Sequence, residues 1–261
     1  MNKKFLPFVL LSGLLLASCS GNENEVGGKA TMKLALTTDT EFSTTRAIDE
    51  AAYADINNYT VTLYRGTQQV ASALYKDWNL AYEVEPGVQY TLRASYGTES
   101  AASYVNVLCE GEETFSVQSG TTKTLSFQCK PKAAKVTVNY QDSADGLYAA
   151  NYGGTDVTVK TKHMSTAWIM NEETVGKELF IKADQNEPVT LGFSVKDKEG
   201  RVIAEKSKTI TRNVNPQTWL KITIKPESNS IEGGKFGINV TINDQLTEQV
   251  VNIELPNTVF N

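Results

Sequence analysis

From residue 30 onward, apolar positions recur at every second residue along most of the chain. Met32, Leu34 and Leu36 show this period, as do Tyr59, Val61 and Leu63, and then Val88, Tyr90, Leu92, Ala94 and Tyr96. A second set follows at Val136, Val138 and Tyr140, at Leu179, Ile181 and Ala183, at Val189, Leu191, Phe193 and Val195, and at Leu220, Ile222 and Ile224. The pattern ends with Ile238, Val240 and Ile242, then Val251, Ile253 and Leu255. Successive side chains of a strand point to opposite faces, so this period predicts antiparallel strands with one buried face. Turn signals interrupt it at Pro86-Gly87, Ser119-Gly120, Lys198-Glu199-Gly200 and Glu232-Gly233-Gly234. That spacing suits β-sandwiches. Helical periodicity is scarce, and Ala47 to Ile56 supports a short helical turn at most.

Lys130-Pro131-Lys132 separates the two sets of strands. Proline has no N–H to donate and cannot continue a central strand. The expected fold is all-β, with two tandem antiparallel β-sandwich domains of immunoglobulin or transthyretin-like type, over residues 30–130 and 133–257. A chain of 261 residues has ample length for a core in each.

The first residues follow a different pattern. Lys3 and Lys4 precede an apolar run from Phe5 to Leu16, of roughly the length of a signal-peptide core and too short for a permanent membrane span. Leu16-Ala17-Ser18-Cys19 resembles a bacterial lipobox. On that resemblance residues 1–18 are a lipoprotein signal peptide, and the thiol of Cys19 carries the lipid. Two or more acyl chains hold a protein stably on a membrane. Residues 19–29 are polar and glycine-rich, as expected of a lipidated flexible tether. Their acids, Glu23 and Glu25, resemble the export signal of Bacteroidetes lipoproteins, which implies an outer-membrane protein facing the cell exterior.

The formal net charge is −5, and removal of the lysine-bearing signal makes the chain more acidic still. Nucleic acid and anionic lipid both require basic patches, so neither is an expected partner. Cys109 and Cys129 remain after Cys19 is consumed. A hairpin centred on Ser119-Gly120 would bring them opposite each other within one residue of register, close enough for a disulfide in an oxidising compartment. Two free buried thiols are the other reading.

Catalytic constellations are not found. The single histidine, His163, has no second His or Cys beside it in sequence to build a zinc site and reads as an exposed strand-end residue. There is neither a Gly-x-Ser-x-Gly elbow nor a glycine-rich phosphate loop. Asp142 and Asp145 flank a turn before Gly146, with a weak calcium site as the other reading. No enzyme activity, cofactor or metal is expected. Aromatic residues offer the better lead. Tyr75 and Trp78 are expected in one loop, Tyr148 and Tyr152 in another that is rich in glycine. Exposed rings there would give a sugar apolar faces to stack on; as core residues they would cap the sandwich ends. Trp168 and Trp219 lie in strand-like runs and read as core.

Several words carry a family resemblance: Thr44-Thr45-Arg46-Ala47, the run from Val84 through Pro86-Gly87 and Tyr90 to Gly97, the run from Phe115 to Cys129, and Ala134 to Tyr140. Together they resemble a family of Bacteroidetes surface lipoproteins whose shared domain is of unknown function. The resemblance implies β-sandwich structure and surface display and supplies no catalytic residues. Asp142-Ser143-Ala144 also matches the short motif at which Bacteroidetes glycosylate exported proteins, which points to Ser143. The expected function is non-catalytic: a lipid-anchored surface protein binding an extracellular ligand such as a glycan or a protein. The alternative is a fimbrial-type subunit or adhesin. Its relatives are cleaved after an arginine, here Arg46, which removes the strand at Thr31 to Thr38 and opens a groove for a donor strand.

Overall fold

The computed structural model describes residues 28–42, 50–78, 81–142, 146–203, 208–228, 236–243 and 248–255. Cys19, Arg46, Ser143 and Asp145 lie outside these residues. The fold is all-β and built from two sandwiches. Among the described residues, no helix is long and apolar enough to cross a membrane.

The first half contains β1 (Ala30–Thr38), the short α1 (Glu50–Ala54), β2 (Thr60–Arg65), β3 (Gln68–Leu74), β4 (Tyr82–Val84), β5 (Tyr90–Gly97), β6 (Ala102–Ser103), β7 (Leu108–Phe115) and β8 (Thr122–Pro131). Seven of these strands form one sheet in the order β3-β2-β5-β7-β8-β1-β4. The expected hairpin of β7 and β8 is reduced to a seam. The two strands pair only at Cys109 with Pro131 and at Glu110 with Lys130, then diverge, β7 onto β5 and β8 onto β1. The sheet thereby folds over, and Leu34 and Leu36 of β1, Leu92 of β5 and Leu125 of β8 share one core.

The seam corrects the expected disulfide. Cys109 faces Pro131 rather than Cys129, a register offset of two residues. Diagonal neighbours of that kind lie ~7–8 Å apart, beyond the usual Cα separation of a disulfide. Both thiols are free and buried. Burial pushes each up to about 12, and Cys129 Sγ points at the Ala94 carbonyl oxygen at 3.4 Å.

The second half contains β9 (Ala133–Tyr140), α2 (Leu147–Asn151), β10 (Gly154–Lys160), β11 (Trp168–Met170), β12 (Leu179–Lys182), β13 (Glu187–Lys196), β14 (Lys208–Val214), β15 (Trp219–Ser228), β16 (Phe236–Asn243) and β17 (Glu248–Leu255). A four-stranded sheet, β11-β10-β13-β14, covers a six-stranded one, β17-β16-β15-β9-β12-β6. Val157, Val159, Leu191 and Phe193 meet Val136, Leu179, Ile222 and Val240 between them. The strand patterns read from the sequence are followed closely: β13 alternates buried and part-exposed residues along its whole length.

Two features depart from the expected tandem antiparallel sandwiches. β1 runs parallel to β8, and β15 runs parallel to β9. The halves also interlock. β6 comes from the first half but pairs with β12 in the second, and Phe180 of β12 is buried in the first core against Phe42, ring centres 5.3 Å apart. Beside them Lys135 is wholly buried, its ammonium 3.6 Å from the Trp219 ring centre and 3.3 Å from Glu178. Gln217 reaches across to the carbonyl oxygens of Asp39 and Glu41.

Candidate functional site

At one end of the second sandwich, a cleft of about 720 Å³ opens between the end of β9, α2, the start of β10 and the turn after β11. Gly146, at φ 68°, turns the chain into α2, so Tyr148 and Tyr152 fall one helical turn apart on the same side. Their rings stack with centres 5.3 Å apart and planes 23° from parallel. The Tyr148 hydroxyl meets Thr155 Oγ1 at 2.5 Å, and Tyr140, on the adjoining wall, donates to the Met170 carbonyl oxygen at 2.9 Å. Burial raises the phenol pKa of Tyr140, Tyr148 and Tyr152, so all three stay neutral hydrogen-bonding groups.

The opposite wall is charged. Glu172 Oε1 accepts from the Thr155 backbone N–H at 2.9 Å. Gly154, at φ 108°, makes room for it: a Cβ there would lie 2.6 Å from both carboxylate oxygens. Asn171 and Thr174 cap the turn that carries Glu172 and Glu173. Lys196 pairs with Asp156 at 2.7 Å, and Lys198 donates to the Ala149 carbonyl oxygen, tying α2 to the end of β13. Asp142 stands exposed at the mouth. The cleft therefore offers acceptors and donors of both charges beside buried aromatic rings.

The aromatic residues singled out from the sequence differ in their placement. Tyr148 and Tyr152 line the cleft, but as core residues 7% and 2% exposed, so their faces are not free for stacking. Trp78 is likewise buried at 6% and stacks on Tyr82 at 5.5 Å, while Tyr75, in a 3-10 turn, is half-buried against the same core. Tyr75 and Trp78 belong to the first core, Tyr148 and Tyr152 to the second, so the four do not form one surface. Trp219 is buried, and Trp168 is half-buried edge-on to Tyr104.

His163 departs most from its expected place. Its side chain is 18% exposed, and its Nε2 lies 3.4 Å from Asp184 Oδ2 and 3.6 Å from Glu187 Oε2. One signal for this cluster was visible in the sequence. Glu187 stands in the same phase as Val189, Leu191, Phe193 and Val195, which places an acid at a buried position of the most regular strand.

Among solved structures, the chain is similar to a candidate adhesin from Bacteroides ovatus, with 7% identity, 86% of this chain and 95% of that one covered, and a TM-score of 0.47. A fimbrial assembly protein from Parabacteroides distasonis matches with 13% identity, 86% and 98% coverage, and a TM-score of 0.43. A candidate polysaccharide-binding protein from Bacteroides thetaiotaomicron matches with 10% identity, 87% and 98% coverage, and a TM-score of 0.41. Among curated proteins none matches. Residues 28–257 match the DUF4493 family, a domain of unknown function, and the chain belongs to that family.

Proposed function

We propose that this chain is a non-catalytic, lipid-anchored protein of the outer cell surface that binds an extracellular ligand, a glycan in the first instance, in the cleft at the end of the second sandwich. The observation that carries the reading is the cleft itself: about 720 Å³ in volume, walled by tyrosines and lined by Asp142, Glu172, Glu173, Lys196 and Lys198. Its exposed charged groups would recognise hydroxyl groups by charge-assisted hydrogen bonds. The lipobox at Leu16 to Cys19 supports the anchor and the surface location. A glycan array probed with the intact protein in detergent tests the reading. Glu173→Gln and Lys198→Ala alter exposed groups at the cleft, and each should weaken a glycan hit by about 1–2 kcal/mol, as charged hydrogen bonds do, with little change in melting temperature. A hit indifferent to both places the ligand elsewhere.

The fimbrial reading has one observation of its own. β1 is held between β8 and β4 and sends Ala30, Met32, Leu34 and Leu36 into the first core. Cleavage after Arg46 would remove that strand, leave β8 as an open edge and expose a groove for a donor strand. N-terminal sequencing of protein from the cell surface tests it: a chain starting at Ala47 supports subunit maturation, and one starting at lipidated Cys19 refutes it.

A further inference from the structure

We propose that His163, Asp184 and Glu187 form a binding site for one divalent transition-metal ion of the zinc type, seated where the Lys162 ammonium lies. The ligand atoms come from two adjacent turns. His163 sits in the turn between β10 and β11, where its N–H donates to Thr161 Oγ1 and the Met164 N–H closes back on the Thr161 carbonyl oxygen. Asp184 and Glu187 bracket the turn between β12 and β13. One donor atom from each of the three residues falls within 4.8 Å of the others. The separations of His163 Nε2 from the carboxylate oxygens, 3.4 and 3.6 Å, are too long for good hydrogen bonds, and none is made. They do match a metal polyhedron: zinc bonds of ~2.0–2.2 Å to nitrogen and oxygen, arranged tetrahedrally, set ligand atoms about 3.3–3.6 Å apart.

The second observation is Glu187. Its side chain is fully buried, Oε2 meets only the Lys162 ammonium, and Oε1 has no partner among the described residues. A carboxylate withdrawn from water requires a cation or a set of aligned donors. Lys162 Nζ lies 2.9 Å from Glu187 Oε2 and 2.5 Å from Asp184 Oδ2, a charge contact that is not aligned as a hydrogen bond to Glu187. The Lys162 side chain is 56% exposed, so its ammonium can withdraw into solvent and free the seat. An imidazole nitrogen with two carboxylates favours zinc-like ions over calcium or magnesium, which take oxygen ligands alone. Three protein ligands leave a fourth position to water, on the side where Lys162 emerges.

The test is calorimetric titration of the intact, tag-free, chelator-treated protein with zinc chloride. One ion per chain is expected, with a rise in melting temperature at saturating zinc. His163→Gln and Asp184→Asn should each lower the affinity at least about tenfold, some 1.4 kcal/mol. Lys162→Met should raise it, because the competing ammonium is gone. Asp184 lies in an exposed turn, so its variant keeps the test valid if His163→Gln does not fold. The absence of saturable binding overturns the site, and so does zinc binding that is unchanged in Asp184→Asn. In either case Lys162 alone neutralises Glu187.

Discussion

The two sandwiches solve the same packing problem with different chemistry. In the first, Thr62 is the buried polar residue among the described residues, since Ser103 of β6 joins the sheet of the second. Apolar strands fill its core, and Trp78, Cys109 and Cys129 are absorbed into it. The second buries Lys135, Thr155, Thr161 and Glu187, and it carries both the cleft and the His163 cluster. Buried polar groups are costly unless partnered, so they persist where a structural joint or a site holds them. Lys135 is of the first kind. Trp219, Phe42 and Glu178 enclose it where the halves meet. Glu187 is of the second kind, for it faces an ammonium that can leave. On the proposed readings, the second half would carry recognition and the first would support it.

The joint itself offers the largest test of this division. Phe180 belongs by sequence to the second half and by packing to the first core. Phe180→Ala should cost about 3–5 kcal/mol, the range for emptying a buried phenylalanine site. If the halves depend on one another as the joint suggests, hydrogen exchange will accelerate in β2, β5 and β7 as well as in β12. Acceleration confined to β12 and its neighbours would show that the first sandwich stands without this side chain.

A smaller effect separates the halves by pH. The buried thiols of Cys109 and Cys129 titrate near 12 in the folded chain, against an ordinary value of 9.0. Between those values the unfolded chain loses protons that the folded chain keeps. Stability contributed by the thiols is therefore complete below pH 9 and is lost as pH rises toward 12. The slope should be on the order of 1 kcal/mol per thiol per pH unit. Denaturation curves across that window should flatten in a Cys109→Val, Cys129→Val chain. An unaltered alkaline slope, or native protein without two titratable thiols, would restore the disulfide that the register argues against.

The alternation that predicts β1, β5, β13 and β15 reports which face of a strand is buried, and those elements were legible residue by residue. Alternation does not report which strand lies alongside. The parallel pairing of β1 with β8 and of β9 with β15 is set by tertiary packing, so it was invisible. The β7–β8 seam misled for a related reason: a good turn sequence fixes the direction reversal, but the strands then joined different layers. Glycines around Tyr148 and Tyr152 suggested an open loop, whereas Gly146 starts a helical turn that stacks the two rings and buries them. The His163 cluster joins residues from two separate turns, and the phase of Glu187 within β13 was the one sign of it that the sequence held.

The two buried tryptophans carry the comparison to its finest scale. Trp219 Nε1 donates to Thr137 Oγ1 at 2.9 Å, and its ring lies under the ammonium groups of Lys135 and Lys221. Trp78 Nε1 is buried with no hydrogen-bond partner among the described residues, and its ring stacks on Tyr82. Replacement by phenylalanine removes similar ring area from both sites, so the difference between the two costs isolates the polar terms. At Trp219 a hydrogen bond worth about 0.5–1.5 kcal/mol is lost and the cation–π contact is weakened. At Trp78 the substitution removes an unsatisfied N–H and so recovers part of what the lost area costs. Trp219→Phe should therefore be the more destabilising by about 1 kcal/mol in denaturant titrations at neutral pH. Equal costs would mean that the indole of Trp78 finds a partner in solution, and the contrast between an apolar first core and a polar second one would narrow by that group.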